Sequence, residues 1–249
     1  MAATDAIAAA VLLVVLLSCP EVSLTPTDYH SGHGGAVTCD KSQLPSRSVV
    51  CYVKPGDPHF DLSHLDPCLC THLVYGTLEV QGDLSLGPFV HENLTALNVL
   101  REHNPHLVPM VELRGLDHVV QVPTQEQLAE LVQHVSKAVA PTKPRGLDVD
   151  YQLHGVDYQV AMEQKPVLGH FLHHFRQESP LRNPVVSVTV AKEPHLVNHA
   201  YDFRTLVKNA DYINVPAFMF HDGQPEYAVH PAPLHGDRGE MDNTVSVSP

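Results

Sequence analysis

Residues 146–152 read Gly146-Leu147-Asp148-Val149-Asp150-Tyr151-Gln152. The alternation fits an extended strand, whose side chains point to opposite faces in turn. Leu147, Val149 and Tyr151 share one face and suit cover by helices. Asp148, Asp150 and Gln152 share the other, in a row that rises toward the strand's C-terminal end. Two carboxylates and an amide on one buried face need partners. A built site, working or relict, accounts for the row better than a solvated edge strand does.

Strands and helices alternate on both sides of this segment. Upstream, residues 48–53, 71–76 and 106–113 are rich in β-branched and aromatic residues and predict strands. A helix is predicted from about Asn93, with Leu94, Leu97 and Leu100 on one face. Thr124 and Gln127 have capping-box spacing, and Leu128, Leu131, Val132, Val135 and Val139 follow at helical spacing. Downstream, the pattern predicts a helix over Lys165–Glu178, a strand over Val185–Val190, an amphipathic piece over 201–209 and a strand over 212–215. Such alternation implies parallel strands joined by crossovers, in an open doubly wound sheet or a (β/α)8 barrel. No Gly-x-Gly-x-x-Gly follows a predicted strand, so a dinucleotide fold has no support. A polar row at the C-terminal end of a strand favours the barrel, where chemistry sits at that end. The fold class is therefore α/β, a (β/α)8 barrel in which only about six strands are legible.

Composition narrows the function. The chain has 249 residues, 43% hydrophobic and 17% charged, which suits one large or two small globular domains. Asp+Glu is 28 against 15 Lys+Arg, a net charge of −13, so neither nucleic acid nor an anionic membrane surface is a fitting partner. Tryptophan, the commonest flat platform for a sugar ring, is absent. Residues 7–17 form an unbroken apolar run, too short to span a bilayer, which takes about 20 residues. Residues 1–19 read as a secretory signal peptide, with an uncleaved anchor as the alternative. Residues 20–47 then form a flexible lead-in, 48–236 the barrel domain and 237–249 a polar tail. Export makes Cys39, Cys51, Cys68 and Cys70 candidates for two disulfides; a zinc site is the rival, but it lacks paired CxxC knuckles. Asn93-Leu94-Thr95 is either a glycosylation sequon or a helix N-cap. His170, His173 and His174 on one predicted helix read as a solvated face rather than a metal site. No cofactor and no metal is implied.

The segment 146–152 resembles the signature Asp-Gly-x-Asp-x-Asp-x-Glu of family 18 glycoside hydrolases, the chitinases and chitinase-like proteins. Other segments are similar to that family in the same order. Val50-Cys51-Tyr52 resembles its first strand and Asp66-Pro67-Cys68-Leu69-Cys70-Thr71-His72-Leu73-Val74-Tyr75 the approach to its second. Asp211-Tyr212-Ile213-Asn214 resembles the start of its sixth strand, and Ala232-Pro233-Leu234-His235-Gly236 the segment beyond. The resemblance implies the barrel fold, sugar-facing aromatics at Tyr52, Tyr75 and Phe218, and the disulfides Cys51–Cys70 and Cys39–Cys68. Packing within the barrel is the competing role for the two tyrosines and for Phe218.

Departures from the family pattern bear on activity. The family's last signature position is the Glu that protonates the glycosidic oxygen before the substrate's acetamido group attacks. That position is Gln152 here, and a carboxamide has no acidic proton to give near neutral pH. Asp150 corresponds to the carboxylate that orients the acetamido group, whereas the first signature Asp is replaced by Arg145. The third-strand Ser-x-Gly-Gly appears as Glu112-Leu113-Arg114-Gly115, and the sixth-strand Met-x-Tyr-Asp as Pro216-Ala217-Phe218-Met219. These losses imply a pseudoenzyme with a relict site at Asp148, Asp150 and Gln152, similar to the secreted, non-hydrolytic imaginal disc growth factors. The implied partners are chitin or N-acetylglucosamine oligosaccharides, or a cell-surface receptor. A residually active chitinase and a truncated fragment without function are the alternatives.

Overall fold

The computed structural model describes residues 38–218 apart from 41 and 43. The expected signal peptide, most of the lead-in, Met219, segment 232–236 and the polar tail lie outside the described residues. The chain divides into two compact units, Met1–Thr77 with Val90–Val111, and Leu78–Phe89 with Glu112–Pro249.

In the first unit, β1 (Val50–Tyr52) pairs in parallel with β2 (His72–Glu79), Cys51 opposite Leu73. Strand β4 (Val108–Arg114) neighbours β2, and the Val108 N–H donates to the Thr71 carbonyl at 3.0 Å. Helix α1 (Leu94–His103) lies between them in sequence and buries Ala96, Leu97 and Leu100. Asn104, fully buried at the end of α1, donates its side-chain amide to the Pro67 carbonyl at 2.8 Å and accepts the His106 N–H at 3.0 Å. The disulfides are Cys51–Cys70, with Cα atoms 6.0 Å apart, and Cys39–Cys68, at 5.5 Å. Asn93 caps α1 by accepting the Thr95 N–H at 2.9 Å through Oδ1. That bond leaves the glycosylation atom, Nδ2, outside the cap.

The second unit carries β5 (Gly146–Tyr151), β6 (Val185–Val190) and β7 (Tyr212–Asn214), all parallel, with the last residues of β4 beside β5. Helix α2 (Gln125–Val139) has the expected capping box and buries its five expected aliphatic residues. It packs on α4 (Lys165–Glu178), which buries Val167, Leu168, Phe171, Leu172 and Phe175; the Phe171 and Phe175 rings stack with centroids 6.2 Å apart. His174 on α4 places its ring nitrogens 2.6 Å from a Glu178 oxygen and 2.9 Å from the Gln125 side-chain oxygen. Helix α6 (Phe203–Asn209) approaches α4 so closely that a Cβ on Gly169 would lie 2.8 Å from a Thr205 methyl.

Strands followed by helices in parallel order make this a (β/α)8-barrel type of fold, with six such strands among the described residues. Besides three single-turn 3-10 helices, the structure adds one short strand and two short α-helices that sequence reasoning omits. These are β3 (Val90–His91), antiparallel to β2, and the six-residue helices α3 (Tyr158–Glu163) and α5 (Pro194–His199). Strand β2 also runs three residues past its expected end, to Glu79. Among the described residues, no helix is long and apolar enough to cross a membrane.

Arg176 joins α4 to the starts of β6 and β7. Its guanidinium donates to the Asn209 carbonyl at 2.8 Å, the Pro184 carbonyl at 2.7 Å and Asp211 Oδ2 at 2.6 Å. The same Asp211 oxygen accepts the Val186 N–H at 2.8 Å. Arg176→Ala removes three charge-assisted bonds, and a loss of about 2 kcal/mol is expected in urea unfolding, with an unchanged denaturant slope.

Candidate functional site

Strand β5 presents the polar row as its alternation requires. Leu147, Val149 and Tyr151 are almost fully buried on one face. Asp148 and Asp150 lie on the other, opposite Ser187 and Thr189 of β6, which in turn lie opposite Tyr212 and Asn214 of β7. The face is thus polar across three strands, which no single segment reveals. Asp148 is fully buried, takes a short hydrogen bond from the Ser187 hydroxyl and has Asn214 Nδ2 at 3.5 Å. Its place is structural as much as chemical, because a carboxylate at that depth requires donors.

Asp150 is more open and is held from two sides. Arg114 Nε lies 3.4 Å from its Oδ2, and Gln152 Nε2 donates to its Oδ1 at 2.8 Å. Gln152 stands just past the last residue of β5. A carboxylate only accepts, so the Gln152 amide turns its N–H toward Asp150 and its oxygen away. That oxygen accepts from His154 Nε2 at 3.1 Å. A polar chain therefore runs Arg114, Asp150, Gln152, His154. Glu112 adds a second, longer contact to Arg114 at 3.9 Å.

Gly115 and Asp117 position this chain. Gly115 has φ +84°, and a Cβ there would lie 2.3 Å from the Val80 carbonyl oxygen, so only glycine lets β4 end with Arg114 in place. Asp117, on the turn after β4, is buried, and its Oδ2 accepts the Leu153 N–H at 2.8 Å. Leu153 has φ +60°, a left-handed backbone that a branched residue rarely adopts. The bond to Asp117 fixes that turn, and the turn sets where Gln152 and His154 point. Burial pushes the Asp117 carboxyl up from its ordinary value, against the lowering effect of the Leu153 N–H and of His118; the nearby Asp150 charge pushes the same way as burial. Tyr201 ties the ends of β5 and β6. Its hydroxyl donates to the Tyr151 carbonyl at 2.7 Å and accepts the Ala191 N–H at 2.8 Å. Burial raises both phenols well above the ordinary tyrosine value, so they stay neutral.

The aromatic candidates divide. Tyr52 ends β1 and is partly exposed. Tyr75 sits in the middle of β2 rather than near its end and is fully buried, so packing explains it. Phe218 is the last described residue and is half-buried. Arg114 and Asp117 are the functional neighbours that sequence reasoning did not select. Their signal was local, Arg and Asp flanking Gly115 and Leu116 at a strand end, but the partners lie 36 residues onward.

Asp117 makes stability depend on pH. A carboxyl raised by burial binds its proton more readily folded than unfolded, so its cost is absent below the ordinary value of 3.8 and grows as pH rises through the raised value. Asp117→Asn keeps an acceptor for Leu153. The variant is expected to match wild-type stability at about pH 3 and to exceed it at about pH 7, the gap widening between. Chemical unfolding across that range measures the difference.

The pattern of Glycosyl hydrolases family 18 matches residues 48–248. Oviduct-specific glycoprotein of Ovis aries is 24% identical over 215 residues, covering 78% of this chain and 40% of that protein. Probable chitinase 2 of Drosophila melanogaster is 23% identical, covering 80% and 46%. The chain thus spans less than half the length of these relatives. Among solved structures, the Group IV chitinase of Ostrinia furnacalis in complex with allosamidin superposes with TM-score 0.63 at 24% identity, covering 77% of this chain and 56% of that one. Human YKL-39, described as a pseudo-chitinase with retained chitooligosaccharide binding, superposes with TM-score 0.60 at 19% identity, covering 79% and 58%. These structures share the fold, and the match over residues 48–248 places the chain in glycosyl hydrolase family 18.

Proposed function

We propose that this protein is a secreted, non-hydrolytic chitinase-like protein that binds chitin or N-acetylglucosamine oligosaccharides. A cell-surface receptor is the second partner class consistent with that role. The observation that carries the reading is the Gln152 amide, hydrogen-bonded to Asp150 at the end of β5. In a family 18 hydrolase that place belongs to the acid that protonates the leaving oxygen. An amide holds a ligand oxygen but transfers no proton, and losing a positioned acid costs about 10²–10⁴ in rate.

Two further features point the same way. Asp150, which would orient an acetamido group, is already engaged by Arg114 and Gln152. Pro216, Ala217 and Phe218 carry neither a hydroxyl nor a carboxylate. Asp117 is an acid of raised pKa, but its burial and its bond to Leu153 keep it from a glycosidic oxygen. The disulfides suit an oxidising, extracellular compartment. Structures of related fold bind chitooligosaccharides, which supports the ligand class.

Wild-type turnover of chitotetraose is expected to equal that of a heat-treated control, with binding still measurable by calorimetry. Gln152→Glu alone is expected to leave turnover at that background. Arg114→Ala is expected to tighten tetramer binding by about twofold to fivefold, as Asp150 loses a partly exposed ion pair. Turnover above the control in the wild-type protein overturns the reading.

A further inference from the structure

Asn93-Leu94-Thr95 is the only Asn-x-Ser/Thr triplet in the sequence, and its middle residue is not proline. Neither the β5 row nor the proposed sugar binding uses it. The same asparagine also caps α1, and the geometry shows that the two roles fall on different atoms. The cap engages Oδ1, which accepts the Thr95 N–H at 2.9 Å. The Asn93 backbone carbonyl accepts the Leu97 N–H at 3.0 Å and opens the helix. Neither bond uses Nδ2, the atom that takes a glycan. A linked glycan turns the primary amide into a secondary one, and the Oδ1 acceptor survives that change. Capping and glycosylation therefore do not compete.

The surroundings admit a bulky substituent. Asn93 and Thr95 are both exposed. The residues of α1 that pack inward begin at Ala96, beyond the triplet, so a glycan displaces no core side chain. The chain reaches Asn93 from β3, where Val90 and His91 are exposed, by way of Glu92, whose N–H donates to the Tyr75 carbonyl at 2.9 Å. Glu92 Oε1 accepts the Gly56 N–H at 3.1 Å, so the exposed turn after β1 lies beside the same segment. The disulfides Cys39–Cys68 and Cys51–Cys70 belong to this unit, and such bonds form in the oxidising compartment through which exported chains pass.

We propose that Asn93 carries an N-linked glycan and caps α1 at the same time, each through a different atom of one side chain. The step joins Nδ2 to the anomeric carbon of an oligosaccharide carried on a lipid diphosphate. The bond from that carbon to the diphosphate oxygen breaks, the lipid diphosphate leaves with the bonding pair, and Nδ2 gives up one proton to solvent. The glycan makes the surface around β3, the turn after β1 and the start of α1 a solvent-facing one, so a protein partner docks elsewhere. The inference rests on the export proposed in the preceding section and on nothing in the β5 row.

The test expresses the full chain in animal cells and treats the secreted product with peptide-N-glycosidase, which releases the glycan and leaves aspartate in place of the asparagine. A single gain in gel mobility is expected, with the conversion located at Asn93 by peptide mass. Thr95→Ala is expected to abolish the shift and Thr95→Ser to keep it, since either hydroxyl completes the triplet. Asn93→Asp loses the glycan but keeps the capping oxygen, whereas Asn93→Ala loses both and is expected to melt about 2–4 °C lower. The glycosylated wild type is expected to melt no lower than Asn93→Asp. A secreted chain that the glycosidase leaves unshifted, or a glycosylated wild type that melts with Asn93→Ala, overturns the proposal. Retention of the chain inside the cell removes the export reading instead; the same chain behind a cleaved secretory signal then decides this proposal by the same shift.

Discussion

A carboxylate taken out of water must be met by donors, and this requirement organises the second unit. Three acids lie on β5 and on the turn after β4, and each has its own answer. Asp148 is met by Ser187 from the neighbouring strand. Asp150 is met by Arg114 and Gln152. Asp117 is met by a backbone N–H and by retention of its proton to higher pH. The strand register that brings Ser187 opposite Asp148 is thus part of the site, and so is the left-handed turn at Leu153.

The same pairings bear on what the site can do. A general acid needs a proton that leaves readily near the working pH. The groups around Asp150 are a guanidinium, an amide and an imidazole that donates to the amide oxygen. The guanidinium holds its proton too firmly, the amide has none to lose, and the imidazole commits its Nε2–H to the Gln152 oxygen. On the proposed reading, the row holds a ligand by hydrogen bonds and stops there. An open carboxylate would bind an acetamido N–H strongly; one shared with Arg114 binds it more weakly, so recognition draws on more of the surface than this one contact.

How much was legible follows from how local each signal is. The α2 capping box and the β5 alternation lie within a few residues of themselves, and both appear where the sequence puts them. Helix α4 and strand β6 also match residue for residue. The short helices α3 and α5 were missed because six residues give too little periodicity to register, although Asp157 is an N-cap to α3 and Pro194 opens α5. Strand β3 spans two residues and exists only by pairing with β2. Tyr75 was misplaced along its strand because Gly76 reads as a strand end, whereas β2 continues through Thr77 and Leu78 to Glu79. Arg114 was visible as an oddity in its segment, but its pairing with Asp150 depends on β4 lying beside β5, which only the fold supplies.

The turn after β5 is where site geometry and backbone strain meet. Leu153 in a left-handed conformation costs about 1–2 kcal/mol, which a leucine would escape by relaxing the turn. It persists because its side chain is buried and its N–H is held by Asp117. Relaxing it would swing Gln152 off Asp150 and His154 off Gln152 together, since the three residues are consecutive. A single buried acid on the turn after β4 therefore sets the orientation of groups at the end of β5. Its own elevated pKa is the physical consequence of serving from a dry position.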